Sequence, residues 1–379
     1  MANFSELAFQ QHRWIRGGDL QTLFADRVGD VPSLGETSAH RICVETYADG
    51  SQDWAALHEN ASSTLSPVAN VLLVHGIAGC HAAGYMVRTA DALARHGFRT
   101  FRMDARGFGI VHADSRGVPH AGRGEDLLKM IQWIAQHRPG PIHVVGFSLG
   151  GNQLLHLAGR IGAKDLKSEA AWERVERLVA VAPPIDLELC SRNLNRKRNL
   201  FYNHYFIRQL FRRAPAQVTR SKIFRDAKNG PTPRTLREFD DRVTAPLSGY
   251  RDADHYYQDA SARPWLSSID RPIRLIVSRD DPIVPFRCFE RAEIAQCGLA
   301  SLVWSRRGGH VGWIGPGRNR DWLSQQIVAA ITDAENKSLT YAENKSLTYA
   351  ENNALANAAG SNCSMSSIDS PTPINLTGI

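Results

Sequence analysis

The run Pro141-Ile142-His143-Val144-Val145-Gly146-Phe147-Ser148-Leu149-Gly150-Gly151 constrains the fold of this 379-residue chain more than any other stretch. Its apolar, β-branched first half predicts a buried strand over 141–147, and Leu149–Gly159 reads as a helix that follows with no intervening loop. A strand that becomes a helix across one residue forces that residue, Ser148, into a sharp turn that lifts its hydroxyl clear of the backbone. Gly146 and Gly150, two positions either side, let strand and helix approach without Cβ clashes. The helix also points its positive N-terminal end at any negative charge developing there. G-x-S-x-G alone is a weak signal, but strand before and helix after make this one a nucleophile elbow.

The same alternation extends along the chain. Strands are expected at 70–76, 98–104, 178–184, 273–278 and 301–305, with helices near 85–96, 125–136 and 322–331. That order predicts an α/β fold: a mostly parallel central sheet with helices on both faces. Residues 188–265 break the pattern with basic and aromatic residues and read as an inserted helical cap. The α/β domain is expected to span 1–333. After it, AENKSLTY occurs at 334–341 and again at 342–349, followed by a stretch rich in Asn, Ser, Ala and Thr. Eight polar residues cannot build a repeat with its own core, so 334–379 reads as a disordered tail.

The net charge of +7 is a local property. Between Ser191 and Arg237 stand thirteen Lys or Arg and one acidic residue, Asp226, which leaves the rest of the chain at about −5. No RRM, KH, zinc-finger or basic-zipper pattern accompanies this patch, which argues against nucleic acid as a partner. Six cysteines without CxxC spacing argue against a disulfide framework or structural zinc. The first thirty residues lack the order of a signal peptide, and no apolar run approaches 18 residues, so the expected compartment is the cytoplasm. Oligomeric state is not legible.

A serine nucleophile needs a base, and the base needs an orienting acid. With an elbow of this kind the chain order is Ser, then Asp or Glu, then His. Ser278-Arg279-Asp280-Asp281-Pro282 follows the strand 273–278, and Gly308-Gly309-His310-Val311-Gly312 follows the strand 301–305. Both loops fall at the carboxyl edge of the sheet, where Ser148 also lies. His310 is the expected base, and either Asp280 or Asp281 the acid. His75-Gly76-Ile77-Ala78-Gly79 closes the strand 70–76, where one oxyanion N–H is expected from Ile77, or failing that Ala78; Leu149 supplies the other. His75, His81, His112 and His120 are read as packing or locally bonded residues, and nothing marks Cys80 as a nucleophile.

Taken together, these residues resemble the YheT-like α/β-hydrolases, a branch grouped with yeast medium-chain ethyl-ester synthases and animal acylglycerol and phospholipid lipases. The resemblance covers about residues 14–332. It rests on WIRGGDLQTL (14–23), HGIAG (75–79), RMDARGFG (102–109), HAGRGEDL (120–127), GFSLGGN (146–152), PPIDL (183–187), YYQDAS (256–261), SRDDPIVP and GGHVGW. It implies the α/β-hydrolase fold with a triad of Ser148, Asp281 and His310; Asp281 is preferred because the family's acid stands four residues before a proline, here Pro285. Two positions depart from the family: Asp19 stands where relatives usually have His, and YADGSQDW (47–54) follows the usual DGD hairpin only loosely.

The implied activity is hydrolysis of medium-chain or lipid-type carboxylic esters through an acyl-enzyme, with no metal or organic cofactor. An alcohol O-acyltransferase would use the same triad, and a non-catalytic ligand-binding version of the fold would not need it intact. In Asn199–Arg213, Leu200, Phe206, Ile207, Leu210 and Phe211 share one helical arc. Arg208, Arg212 and Arg213, interleaved with Phe201, Tyr202 and Tyr205, lie opposite. A basic-aromatic outer face of this kind suits peripheral contact with anionic lipid.

Overall fold

Asn70–Val74 (β4) reads NVLLV and Ile142–Phe147 (β6) reads IHVVGF, and every residue of both is buried. Continuous apolar runs of this kind belong to strands covered on both faces. The structure, a computed structural model, describes residues 3–60, 66–167, 170–290, 292–318 and 320–332. The tail read at 334–379 lies outside them.

The other strands are β1 (Asn3–Glu6), β2 (Thr37–Thr46), β3 (Gln52–Asn60), β5 (Arg99–Asp104), β7 (Val175–Val181), β8 (Ile273–Ser278) and β9 (Ala300–Ser305). Together they form one sheet in the order β1-β9-β8-β7-β6-β4-β5-β3-β2. All pairings are parallel except β2 with β3 and β3 with β5. The carboxyl ends of β4, β6, β8 and β9 therefore point the same way, and their loops meet at one edge.

Side-chain alternation divides the core in two. Leu72, Val74 and Val144 pack with Leu127, Ile131 and Leu154 of α3 (Gly124–His137) and α4 (Leu149–Gly162). Val71, Leu73 and Val145 face the other way, against Met86 and Leu93 of α2 (Gly84–Arg95) and Ile327 and Ile331 of the helix 321–332. Leu93 is fully buried, and truncating such a leucine to alanine costs about 2–5 kcal/mol.

Two motifs behind the resemblance are joined physically. Arg106 of RMDARGFG makes a two-pronged bond to Asp126 of HAGRGEDL, Nε to Oδ2 at 2.8 Å and Nη2 to Oδ1 at 2.6 Å. Asp53 of β3 accepts from the same guanidinium at 3.1 Å. Planar, paired recognition suits arginine to such a buried post.

Between β7 and β8 the chain is helical. Asp186 caps Leu187–Leu194 (α5), its Oδ1 accepting from Leu189 N at 2.9 Å. Leu200–Arg212 (α6) follows, then short helices to Ala253–Ala260. The buried side of α6 differs from the expected arc: Tyr202, Asn203, Phe206 and Ile207 are buried, while Leu200 is 45% exposed. The cause lies far off in sequence. Tyr202 Oη donates to Asp19 at 3.0 Å in Gly17–Leu23 (α1), so α6 packs against the N-terminal segment as well as the cap.

Candidate active site

Ser148 sits where β6 ends and α4 begins, with φ 50° and ψ −118°. A side chain held in that sparsely populated region is strained, and the surroundings hold it there. The Ser148 N–H donates to Val181 O of β7 at 2.8 Å. A Cβ on Gly146 would lie 2.5 Å from Gly150 O, and one on Gly150 2.6 Å from His75 O. Neither glycine can be replaced without moving strand or helix.

His310 lies in the loop after β9, beside Gly308 and Gly309 at φ 149° and 62°. Its Nε2 accepts from Ser148 Oγ at 2.8 Å, and its Nδ1–H donates to Asp281 Oδ2 at 2.7 Å. Asp281 is 7% exposed, and its other oxygen accepts from the N–H groups of Ile283 and Val284 at 2.8 and 2.9 Å. The carboxylate is thus aimed by its own following turn. Asp280 faces elsewhere: its Oδ1 accepts from Ser278 Oγ at 2.6 Å and from Gly309 N at 2.9 Å. Of the two aspartates, Asp281 meets the imidazole and Asp280 braces the glycine beside it.

Ile77 and Leu149 line the same cavity as Ser148. Among the described residues the N–H of neither is spent on a carbonyl or side chain. Ala78, the alternative to Ile77, has φ 54°, and its carbonyl accepts from Arg213 at the end of α6. Arg213 therefore touches the loop that would hold an oxyanion instead of standing free on the outer face of the cap.

The other histidines have local partners. Ala105 N donates to His75 Nε2 at 3.2 Å while His75 Nδ1 faces Gly76 O at 2.7 Å, which places the proton on Nδ1. Burial lowers the His75 pKa and pushes that of His120 well down, so both rings are neutral. His112 Nε2 lies 3.1 Å from Arg213 O. His81 Nδ1 and His58 Nε2 lie 2.8 and 2.9 Å from Asp104 Oδ2, with their rings stacked 3.4 Å apart. Asp104 also accepts from the backbone N–H groups of His81 and Ile110, so its lone pairs are taken up in holding three chain segments together. It is a structural hub.

Residue-type reasoning missed the support given by α1. Thr22 Oγ1 accepts from His310 N at 2.8 Å, and buried Gln21 exchanges hydrogen bonds with the backbone of Ile314. WIRGGDLQTL marked this segment through the resemblance, but nothing in it named a partner.

Comparison with known proteins supplies the family. The alpha/beta hydrolase fold family matches residues 69–287, more than half of the chain. The chain belongs to that family. "Putative esterase YheT" of Escherichia coli (strain K12) is 29% identical over 279 residues, 68% of this chain and 77% of that protein. Phospholipase ABHD3 of Homo sapiens is 28% identical over 312 residues, 79% and 72% of the two chains. Monoacylglycerol lipase of Saccharomyces cerevisiae is 24% identical over 267 residues, 68% of this hydrolase and 57% of the yeast protein. The resemblance to the YheT-like branch and its lipases therefore holds. Among solved structures, the Pyrococcus furiosus esterase Pf2001 superposes with a TM-score of 0.52 at 16% identity, covering 81% of this chain and 95% of its own. That likeness bears out the fold. Among the described residues no helix is long and apolar enough to cross a membrane.

Proposed function

We propose that this α/β hydrolase is a serine-dependent carboxylic ester hydrolase that acts on medium-chain or lipid-type esters. One observation carries the reading: an unbroken hydrogen-bond chain from Ser148 Oγ through His310 to Asp281, at 2.8 and 2.7 Å, on the wall of a largely apolar cavity. His310 Nε2 takes the hydroxyl proton as Ser148 Oγ attacks the ester carbonyl, while Asp281 holds the imidazole in the matching tautomer. The N–H groups of Ile77 and Leu149 receive the oxyanion, each contributing about 2.7–4 kcal/mol in comparable sites. His310 then returns the proton to the departing alcohol. Water, activated by the same nitrogen, releases the acid from the acyl-enzyme. No step calls on a metal or organic cofactor.

Lipid-type substrates are supported by a surface beside the site. Trp14, Leu20 and Leu23 of the N-terminal segment and Leu200, Phe201 and Tyr205 of the cap are all at least 40% exposed. The Tyr202–Asp19 bond holds the two sets side by side. Exposed Arg196, Lys197, Arg198, Arg208 and Arg212 stand in the same stretch of the cap. Exposed apolar side chains interspersed with cations suit peripheral contact with an anionic lipid surface. Nucleic acid is not part of this reading, and a cytoplasmic location is, resting on cysteines scattered without a disulfide framework.

Alcohol in place of water would make the same acyl-enzyme an acyltransferase. The name of one yeast relative, medium-chain fatty acid ethyl ester synthase/esterase 2, at 26% identity over 297 residues, favours keeping this second reading. The test is hydrolysis of p-nitrophenyl butyrate, octanoate and palmitate, with and without ethanol. Turnover that rises from butyrate to octanoate supports the main reading, and ethyl ester exceeding free acid supports the second. Absence of turnover on all three overturns both.

A further inference from the structure

The cavity over Ser148 offers about 90 Å³ of water-accessible volume and opens to solvent. Most of its wall is hydrocarbon, from residues such as Leu149, Leu187, Leu194, Ile283 and Val284. One sector is different. Asp240, Thr244 and Tyr257 from the cap all contribute to it. Asp240 is 7% exposed; its Oδ1 accepts from Thr244 Oγ1 at 2.7 Å and its Oδ2 from Tyr257 Oη at 2.8 Å.

No cation is paired with this carboxyl among the described residues. Arg237, whose charge acts on the carboxyl from a distance, has its guanidinium bonded to Glu188 and Asp254 and stands 5.7 Å from the centre of the Tyr257 ring. Burial raises the Asp240 pKa to about 6, against the opposing pull of the two hydroxyls and Arg237. The local backbone is also unusual. Asp240–Thr244 forms a π-helical turn, a rare irregularity that frequently accompanies functional sites.

A hydrocarbon chain gains nothing from a buried carboxyl, and a group of this kind in a cleft is a functional candidate. The sector's chemistry says what it would take. A carboxyl has about four lone-pair positions, of which two are used here, and Thr244 Oγ1 keeps acceptor capacity of its own, while Tyr257 Oη also bonds the Ser191 hydroxyl. The sector is therefore rich in acceptors, and among the described residues no cation is directly paired with its carboxyl. A full cation would lose its hydration among leucines, whereas a hydroxyl crosses that wall at lower cost and can both give and accept a hydrogen bond.

We propose that Asp240, Thr244 and Tyr257 form a hydroxyl-recognition subsite of the catalytic cavity, which selects esters carrying a free hydroxyl group. The inference rests on the ester-hydrolase reading for its substrate and on the cap's own geometry for its location. The hydroxyl has two sources, the alcohol half of the ester or its acyl chain, and matched substrates separate them.

The experiment measures kcat/KM on the full chain for 1-octanoylglycerol against propyl octanoate, and for methyl 8-hydroxyoctanoate against methyl octanoate. The hydroxyl-bearing member of one pair is expected to be preferred about tenfold or more, as one added hydrogen bond to a charged group provides. The pair that shows the preference identifies the source. Asp240→Asn and Tyr257→Phe should each bring that ratio down towards one. Equal kcat/KM within both pairs, or a ratio unchanged in both variants, overturns the proposal. So does octanoylcholine turned over in preference to either hydroxyl ester, which would mark a cation site. Calorimetric binding of the uncleavable ether 1-O-octylglycerol reads the subsite without turnover. Binding about tenfold weaker in Asp240→Asn supports it, and equal binding overturns it, whether or not any ester is cleaved.

Discussion

Thr22 Oγ1 accepts a hydrogen bond from the backbone N–H of His310 at 2.8 Å and donates one to the Gly18 carbonyl at 2.7 Å. A residue near the start of the chain thus sets the height of the loop that carries the proposed base. The fit is close, since a Cβ on Gly309 would stand 2.4 Å from Gly18 O. Thr22→Val keeps the shape and removes the acceptor, leaving the His310 N–H unpaired at a cost of about 1–3 kcal/mol. Ester hydrolysis should lose about tenfold or more in kcat with little change in KM, and Thr22→Ser should restore it. A loss confined to KM, or no rescue by serine, would show that Thr22 does not position the loop.

The neighbouring aspartates should respond unequally. In Asp281→Asn the amide can still accept from Ile283 and Val284, but it offers His310 Nδ1 a donor where an acceptor is needed. A fall of about 10³-fold or more in kcat is expected, as in other triads forced into the wrong tautomer. Asp280→Asn keeps an acceptor for Gly309 N and Ser278 Oγ and should cost less than about tenfold. Steady-state kinetics on one p-nitrophenyl ester decides it, and reversed sensitivities would reassign the acid.

Asp240 gives the stability curve a recognisable sign. Its folded pKa, about 6, lies above the ordinary 3.8. The stability linked to its proton is fully present below about pH 4 and is lost as pH rises through 6. Other carboxylates, such as Glu45 and Glu59 with lowered values, act in the opposite sense at lower pH. Asp240→Asn removes only the first effect. Denaturation at pH 5 and pH 8 should therefore show the variant gaining on the parent by about 1.4 kcal/mol at the higher pH. An identical difference at both pH values would mean that the carboxyl is not raised.

Salt should separate lipid from soluble substrate. If the cap's cations meet anionic lipid, activity on esters dispersed in phosphatidylglycerol vesicles should fall severalfold between 50 and 500 mM NaCl. p-Nitrophenyl butyrate in solution should change little. Arg208→Gln with Arg212→Gln should impair only the vesicle assay; Arg213 is left intact because it bonds to Ala78 O. Equal losses on both substrates would assign these arginines to the cap's structure.

The strands flanking Ser148 were legible because each is a continuous apolar run with a turn signal at its carboxyl end. β1, β2 and β3 were not, because NFSE is short and TSAHRICVET and QDWAALHEN mix charged and apolar residues without strict alternation. β1 and β2 lie on the edges of the sheet, where one strand neighbour is enough, and β3 joins β2 to β5 by antiparallel pairing. The order Ser, Asp, His was visible for a related reason, since each loop directly follows a recognisable strand. What local sequence could not show was contact between distant segments. Tyr202 reads as an outward residue of α6 until Asp19 is placed beneath it, and Asp240 reads as one more charge in a charged stretch until the cap folds over the cavity.

The central claim is that Ser148 is the nucleophile, and covalent labelling tests it most directly. Incubation with a fluorophosphonate, followed by proteolysis and mass spectrometry, should give one adduct, on the peptide containing Ser148. Ser148→Ala should abolish both the adduct and ester hydrolysis with its melting temperature nearly unchanged. An adduct on another residue, or hydrolysis that survives the substitution, would contradict the account.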